Sequence, residues 1–202
     1  MSSVRRSEQI KLEDLPEPSI NIENVVASVV INQRLDLHKI EQLIPGATFN
    51  PDKFPGLILK LKEPKTALLI FSSGKFVCTG AKSAATVAKA VNKVIEMLNA
   101  RGIKITGKPL IKVENIVASA KLHVTVDLER ASVELEGTVY EPEQFPGMIL
   151  RMENPNVVFL VFSSGSLVCT GAKKEEDVYK AVYKLRRILA EKGLIISVAL
   201  RG

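Results

Sequence analysis

Residues 23–103 and 114–194 are one element written twice, at a constant offset of 91 and without a gap, and 33 of the 81 aligned positions are identical. The match is densest in two stretches. Phe54-Pro55-Gly56 returns as Phe145-Pro146-Gly147, and Phe71-Ser72-Ser73-Gly74 with Val77-Cys78-Thr79-Gly80-Ala81-Lys82 returns as Phe162-Ser163-Ser164-Gly165 with Val168-Cys169-Thr170-Gly171-Ala172-Lys173. A unit of this length is too long for a solenoid repeat and has the size of a half-domain. Each copy is small for independent stability, so two copies sharing a core or a continuous sheet are expected, with approximate two-fold symmetry. The backbone of duplex DNA has a similar symmetry.

The boundaries follow from the repeat: a mobile polar arm over residues 1–19, a first half over 20–106 and a second over 107–202. The arm lacks an apolar stretch of the kind a signal peptide needs, and no later run reaches about 18 apolar residues, so neither export nor membrane insertion is expected. The formal charge of +6 is unevenly spread. The first repeat carries 11 Lys/Arg against 6 Asp/Glu and the second 10 against 12, while Lys104, Lys108 and Lys112 make the connector basic. Solubility accounts for any one of these values; the asymmetry suits a polyanion on the basic half and a protein partner on the acidic one. Cys78 and Cys169 occupy equivalent places in strand-like runs, with no metal or redox spacing, and read as buried, reduced thiols.

Within a repeat the pattern is strand, short helix, three to four antiparallel strands and a long helix. The opening strands are 24–31 and 115–120. A short helix follows around Leu35, Ile40, Leu43 and Ile44, with a weaker pattern at Leu128, Ala131 and Val133. Strands over 44–49, 57–61, 67–71 and 75–79 come next, with Ser73-Gly74 and Ser164-Gly165 marking tight hairpins and Pro64 and Pro155 turns. Stripes of Val87, Val91, Val94, Leu98 and of Val178, Val182, Leu185, Leu189 make residues 83–101 and 174–192 amphipathic helices, stopped by Gly102 and Gly193. Period-2 counting places Phe76, Cys78, Val25, Ala27 and Val29 toward the helices, and Lys75, Val77, Thr79, Asn24, Val26 and Ser28 on the opposite face. No secondary structure is left to cover that face, which reads as a binding surface.

Catalysis finds little support. His38 and His123 are not equivalent, no metal-ligand spacing occurs, and both a Gly-x-Ser-x-Gly elbow and a phosphate-binding glycine loop are missing. No enzyme, cofactor, metal or small-molecule substrate is expected. The duplicated Phe54, Phe71, Phe145 and Phe162 leave two readings open: core residues, or wedges inserted between stacked bases.

At these residues the chain resembles the TATA-box-binding protein family, and its archaeal members most. The resemblance spans about residues 20–196 and rests on the duplicated Phe-Pro-Gly and Phe-Ser-Ser-Gly…Thr-Gly-Ala-Lys motifs and the Asn-x-Val-Ala-Ser openings. It implies an α+β saddle, a ten-stranded curved antiparallel sheet with four helices on its convex face, that binds the minor groove of A/T-rich promoter DNA. It implies Phe54 with Phe71, and Phe145 with Phe162, as kinking wedges, and groove contacts from Asn24, Asn115, Thr79, Thr170, Val26, Val77, Val117 and Val168. It implies phosphate contacts from Lys53, Lys60, Lys75, Lys82, Arg151 and Lys173. Gln144 and Ser166 stand where the first repeat has Lys53 and Lys75, so the second half should hold phosphate less strongly. The resemblance further implies Glu141, Glu143 and Gln144 as contacts for transcription factor B, recruitment of RNA polymerase, and a place in the cytoplasm at the nucleoid of an archaeal-type cell. The competing reading is a two-repeat protein- or peptide-binding module.

Overall fold

In the first repeat, strand β1 (Ser19–Val30) leads into helix α1 (Leu37–Leu43) and a meander of β2 (Ala47–Thr48), β3 (Leu57–Leu61), β4 (Thr66–Ile70) and β5 (Lys75–Ala81), closed by α2 (Ala84–Ala100). The computed structural model describes residues 9–199. Asp36 caps α1 through Lys39 N–H at 3.2 Å and Ser83 caps α2 through Thr86 N–H at 3.1 Å, each satisfying a donor that the helix leaves free. Gly102 takes φ +83°, and the following Ile103 N–H returns to Leu98 O at 2.9 Å, a left-handed stop that a side chain would strain.

The second repeat follows the same order: β6 (Leu110–Lys121), then β7 (Val124–Val126), α3 (Leu128–Glu134), β8 (Thr138–Val139), β9 (Met148–Met152), β10 (Val157–Val161), β11 (Ser166–Ala172), α4 (Glu175–Glu191) and β12 (Ile195–Val198). The weaker sequence pattern of α3 still gives a helix, because Asp127 caps it and Leu128 and Ala131 are buried. β7 and β12 pair in a small sheet of their own, which has no counterpart in the first repeat.

The expected ten strands and four helices are present, the strands in the order β2-β3-β4-β5-β1-β6-β11-β10-β9-β8. The chain divides into two compact units, Ile22–Ile116 and a second made of Val117 onward with the chain up to Asn21. The division falls inside β6. In each unit one sheet face is closed by the long helix. Phe76, Cys78, Leu68, Val87 and Val91 have no exposed surface in the first unit, and the same holds for Phe159, Val178, Val182 and Leu185 in the second.

The expectation of a mobile arm needs correcting from residue 9 on; residues 1–8 lie outside the described residues. Residues 9–17 run antiparallel along α4. Gln9 Nε2 donates to Ala190 O and Glu191 O, both at 3.1 Å, and so ties the segment to the last turn of the helix, where Ala190 O also accepts from Gly193 N–H. Leu15 is buried, its carbonyl accepts from Arg186 Nη2 at 2.8 Å, and Glu17 accepts from the Tyr183 hydroxyl at 2.6 Å. A few well-placed groups anchor a segment whose overall polarity suggested none.

Candidate nucleic-acid interface

The strand pairings define what stands on the face away from the helices. In the first unit Ile58 opposes Leu69, Leu69 opposes Val77 and Val77 opposes Ser28, while Lys60 opposes Ala67 and Ala67 opposes Thr79. In the second, Ile149, Leu160 and Val168 form one row and Arg151, Val158 and Thr170 the next. Directly opposed residues share a face, so these rows are continuous strips. The apolar members are all half-buried, whereas their sequence neighbours on the helix side are closed off completely or nearly so. Asn24, Val26, Val77 and Thr79, with Asn115, Val117, Val168 and Thr170, all occupy this half-open face.

Sequence reasoning gave Leu69 the parity of Phe71 but missed Ile58, Ile149 and Leu160. Parity could have found them by extension from Phe71. However, β3, β4, β9 and β10 are apolar on both faces, so they show no alternation of their own.

Asn24 is held firmly. Its Oδ1 accepts from Gly80 N–H at 2.8 Å and its Nδ2 donates to Thr79 Oγ1 at 3.2 Å. An N–H can only meet the amide oxygen, so the amide orientation is fixed and one Nδ2–H remains to donate outward. Gly80 makes this possible. At φ +91° it forms a bulge that shifts the β1–β5 register, turns Ala81 into the core and sends Lys82 out to solvent.

None of the four duplicated phenylalanines is a core residue. Phe54, Phe71 and Phe162 are half-buried and Phe145 is 43% exposed, against 0% for Phe76 and Phe159. The rings pair edge to face, Phe54 with Phe71 and Phe145 with Phe162, each at 5.9 Å between centroids with interplanar angles of 67° and 66°. The glycine of each Phe-Pro-Gly is needed for this nest. A Cβ on Gly56 would lie 2.7 Å from Phe54 Cε1 and 3.0 Å from Phe71 Cε1, and one on Gly147 would lie 2.8 Å from Phe145 Cε1 and 3.1 Å from Phe162 Cε1.

Lys53, Lys60, Lys75, Lys82, Arg151 and Lys173 are all exposed, and none is held in an ion pair among the described residues. Four lie in the first unit and two in the second, in keeping with the charge asymmetry. Glu141, Glu143 and Gln144 lie exposed in the turn before Phe145, where Gln144 N–H and Phe145 N–H both donate to Glu141 O, at 2.9 and 3.0 Å.

The other reactive groups are otherwise engaged. His123 Nε2 is 2.8 Å from Ser19 Oγ, and His38 meets the Phe49 ring edge-on. Burial pushes the Cys78 and Cys169 thiols up to about 11, which keeps both protonated and unreactive at neutral pH.

The family model for transcription factor TFIID, or TATA-binding protein, matches residues 19–100 and 110–192, one span for each repeat. The TATA-box-binding protein of Aeropyrum pernix is 51% identical over 188 residues, covering 93% of both chains. That of Sulfurisphaera tokodaii is 55% identical over 172 residues, covering 85% of this chain and 87% of its own. The solved structure of Methanococcus jannaschii TBP aligns with a TM-score of 0.79 at 43% identity, over 86% of this chain and 99% of that one.

Proposed function

Because the chain belongs to the TATA-binding protein family, we propose that it is the general initiation factor that reads A/T-rich promoter DNA from the minor groove, kinks it, and recruits transcription factor B and RNA polymerase. It is a DNA-binding transcription factor and not an enzyme. It works in the cytoplasm, at the nucleoid of an archaeal cell. One observation carries the reading: two unburied phenylalanine pairs, one in each repeat, stand beside half-open apolar strips whose edges carry unpaired cations.

The chemistry of that face suits the minor groove. A·T pairs display only the acceptors A N3 and T O2 there, while G·C pairs add the guanine amino donor. Against Val26, Val77, Leu69 and their second-repeat counterparts, that amino group would be buried without a partner, at a cost of about 1–3 kcal/mol. Asn24 and Thr79, with Asn115 and Thr170, supply donors for the acceptors. Pyrimidine–purine steps unstack easily, so inserting a phenylalanine pair at such a step adds shape readout to the base contacts. Lys53, Lys60, Lys75, Lys82, Arg151 and Lys173 then hold the phosphates of the bent duplex and set its register.

Bending is the test. Replacing Phe145 and Phe162 by Ala should remove most of the bend, read by energy transfer between labelled DNA ends, and leave the unfolding midpoint near wild type. Core rings would instead cost about 3–5 kcal/mol each. A wild-type bend in the double variant would contradict the wedge role.

Partner recruitment rests on the turn at Glu141 and Glu143. Reversing both to Lys should weaken entry of transcription factor B into the protein–DNA complex and leave binary DNA binding unchanged or slightly tighter, because two like charges near phosphate are removed. A ternary titration with no loss would place that contact elsewhere.

A further inference from the structure

The outer face of α4 carries a surface that the DNA reading leaves unused. Tyr179, Tyr183 and Arg187 are spaced four residues apart, so they line one side of the helix. Both tyrosines are exposed, at 43% and 42%, and so is Arg187. Beside them a shallow depression is lined by Asn154, Pro155, Asp177, Lys180, Lys184 and the same Tyr183 and Arg187. The first repeat is an internal control. The buried stripe is the same or nearly so in α2 and α4, yet Ala88, Asn92 and Glu96 stand where α4 has Tyr179, Tyr183 and Arg187. Packing of the helix on its sheet therefore does not call for these residues; Tyr183 has a further structural bond, one that anchors the N-terminal strap.

Their state favours binding. The hydroxyl of Tyr183 donates to Glu17 at 2.6 Å, so the N-terminal strap fixes this ring before any partner arrives, which lowers the ordering cost of association. Exposed tyrosine and arginine are the side chains most enriched at binding hot spots. Of the cations, Lys184 is committed to Glu153 O and Asn154 O at 2.7 and 2.9 Å. Lys180 makes no hydrogen bond or ion pair among the described residues, and Arg187 reaches Glu191 only at 4.0 Å between two exposed side chains. Both are available to a ligand.

We propose that this face docks an acidic segment of a protein partner, its carboxylates on Lys180 and Arg187 and its apolar side chains on the two tyrosine rings. A nucleic acid suits the site less well. Its continuous phosphate run would also meet Glu175, Glu176 and Asp177 in the first turn of α4, and Glu17 beside Tyr183, whereas a peptide can place single carboxylates between them.

The test uses the full chain, alone and saturated with an A/T-rich duplex so that the open sheet face is occupied. The probe is a fluorescein-labelled synthetic peptide of Glu-Glu-Leu-Leu repeats, titrated by anisotropy beside a Gln-Gln-Leu-Leu control. Saturable binding to both forms is expected. It should weaken at least about tenfold in Tyr179→Ala/Tyr183→Ala and in Lys180→Glu/Arg187→Glu, and stay unchanged in the α2 variant Asn92→Ala. All the replaced side chains are exposed, and an unchanged unfolding midpoint will confirm that the variants fold. No binding, equal binding of the Gln peptide, equal affinity of the variants, or equal displacement by a single-stranded oligonucleotide would each overturn the proposal.

Discussion

At Gly56 and Gly147 one hydrogen atom decides how two aromatic rings meet. Neither glycine has a positive φ, so their role is steric and not conformational. Gly147→Ala should push Phe145 and Phe162 apart, cost about 1–3 kcal/mol by overpacking, and reduce the DNA bend more than Gly46→Ala, where a φ of +86° strains the new side chain but nothing crowds it. Calorimetry and the energy-transfer assay read the two effects separately. An unchanged bend in Gly147→Ala would show that the ring nest is dispensable. The cysteines behave oppositely, as core residues whose neutral form is the one that fits. Burial pushes their folded pKa up to about 11, above the ordinary thiol range, so the stability they contribute is complete at neutral pH and lost as pH rises toward 11. Alkylation at pH 8 should therefore be slow in the folded chain and fast after denaturation. Residue identities were the most legible level of the sequence, because the repeat marked both phenylalanine pairs. Their exposure was not legible, since an aromatic next to Pro-Gly is equally at home in a core.

At the scale of elements, the two long helices differ in a way that predicts a difference in stability. Ser83 caps α2, whereas the corresponding Lys174 makes no side-chain cap to α4. Ser83→Ala should cost about 1 kcal/mol, and Lys174→Ser should stabilise by a comparable amount; denaturant midpoints at constant slope will check both. If Lys174→Ser leaves the midpoint unchanged, the acidic first turn of α4 already satisfies that end. Element existence could be read wherever one face was polar. β5 alternates Lys, Phe, Val, Cys, Thr, and the helical stripes repeat with the helix period, so both stood out. Two features were not legible, because tertiary contacts create them: the strap of residues 9–17 depends on α4 as its partner, and the β7–β12 sheet joins segments far apart in sequence. The strand expected over 44–49 is there but only two residues long, Ala47–Thr48, because Ile44 still closes α1.

At the scale of the whole molecule, DNA recognition is electrostatic and steric at once. Six unpaired cations predict that log affinity for promoter DNA falls with log salt at a slope of about −5, and that Lys60→Ala flattens it by about one. Four of the six belong to the first repeat, so charge removal there should weaken binding more than removal of Arg151 and Lys173. The apolar open face should select A·T pairs by leaving a guanine amino group without a partner. The most direct test is a band shift comparing a TATA-like A/T-rich duplex with the same duplex carrying several central G·C substitutions, at one fixed salt concentration. At least about tenfold tighter binding to the A/T-rich duplex is expected, since each unfavourable pair costs about 1–3 kcal/mol. Equal affinity for the two duplexes would contradict it.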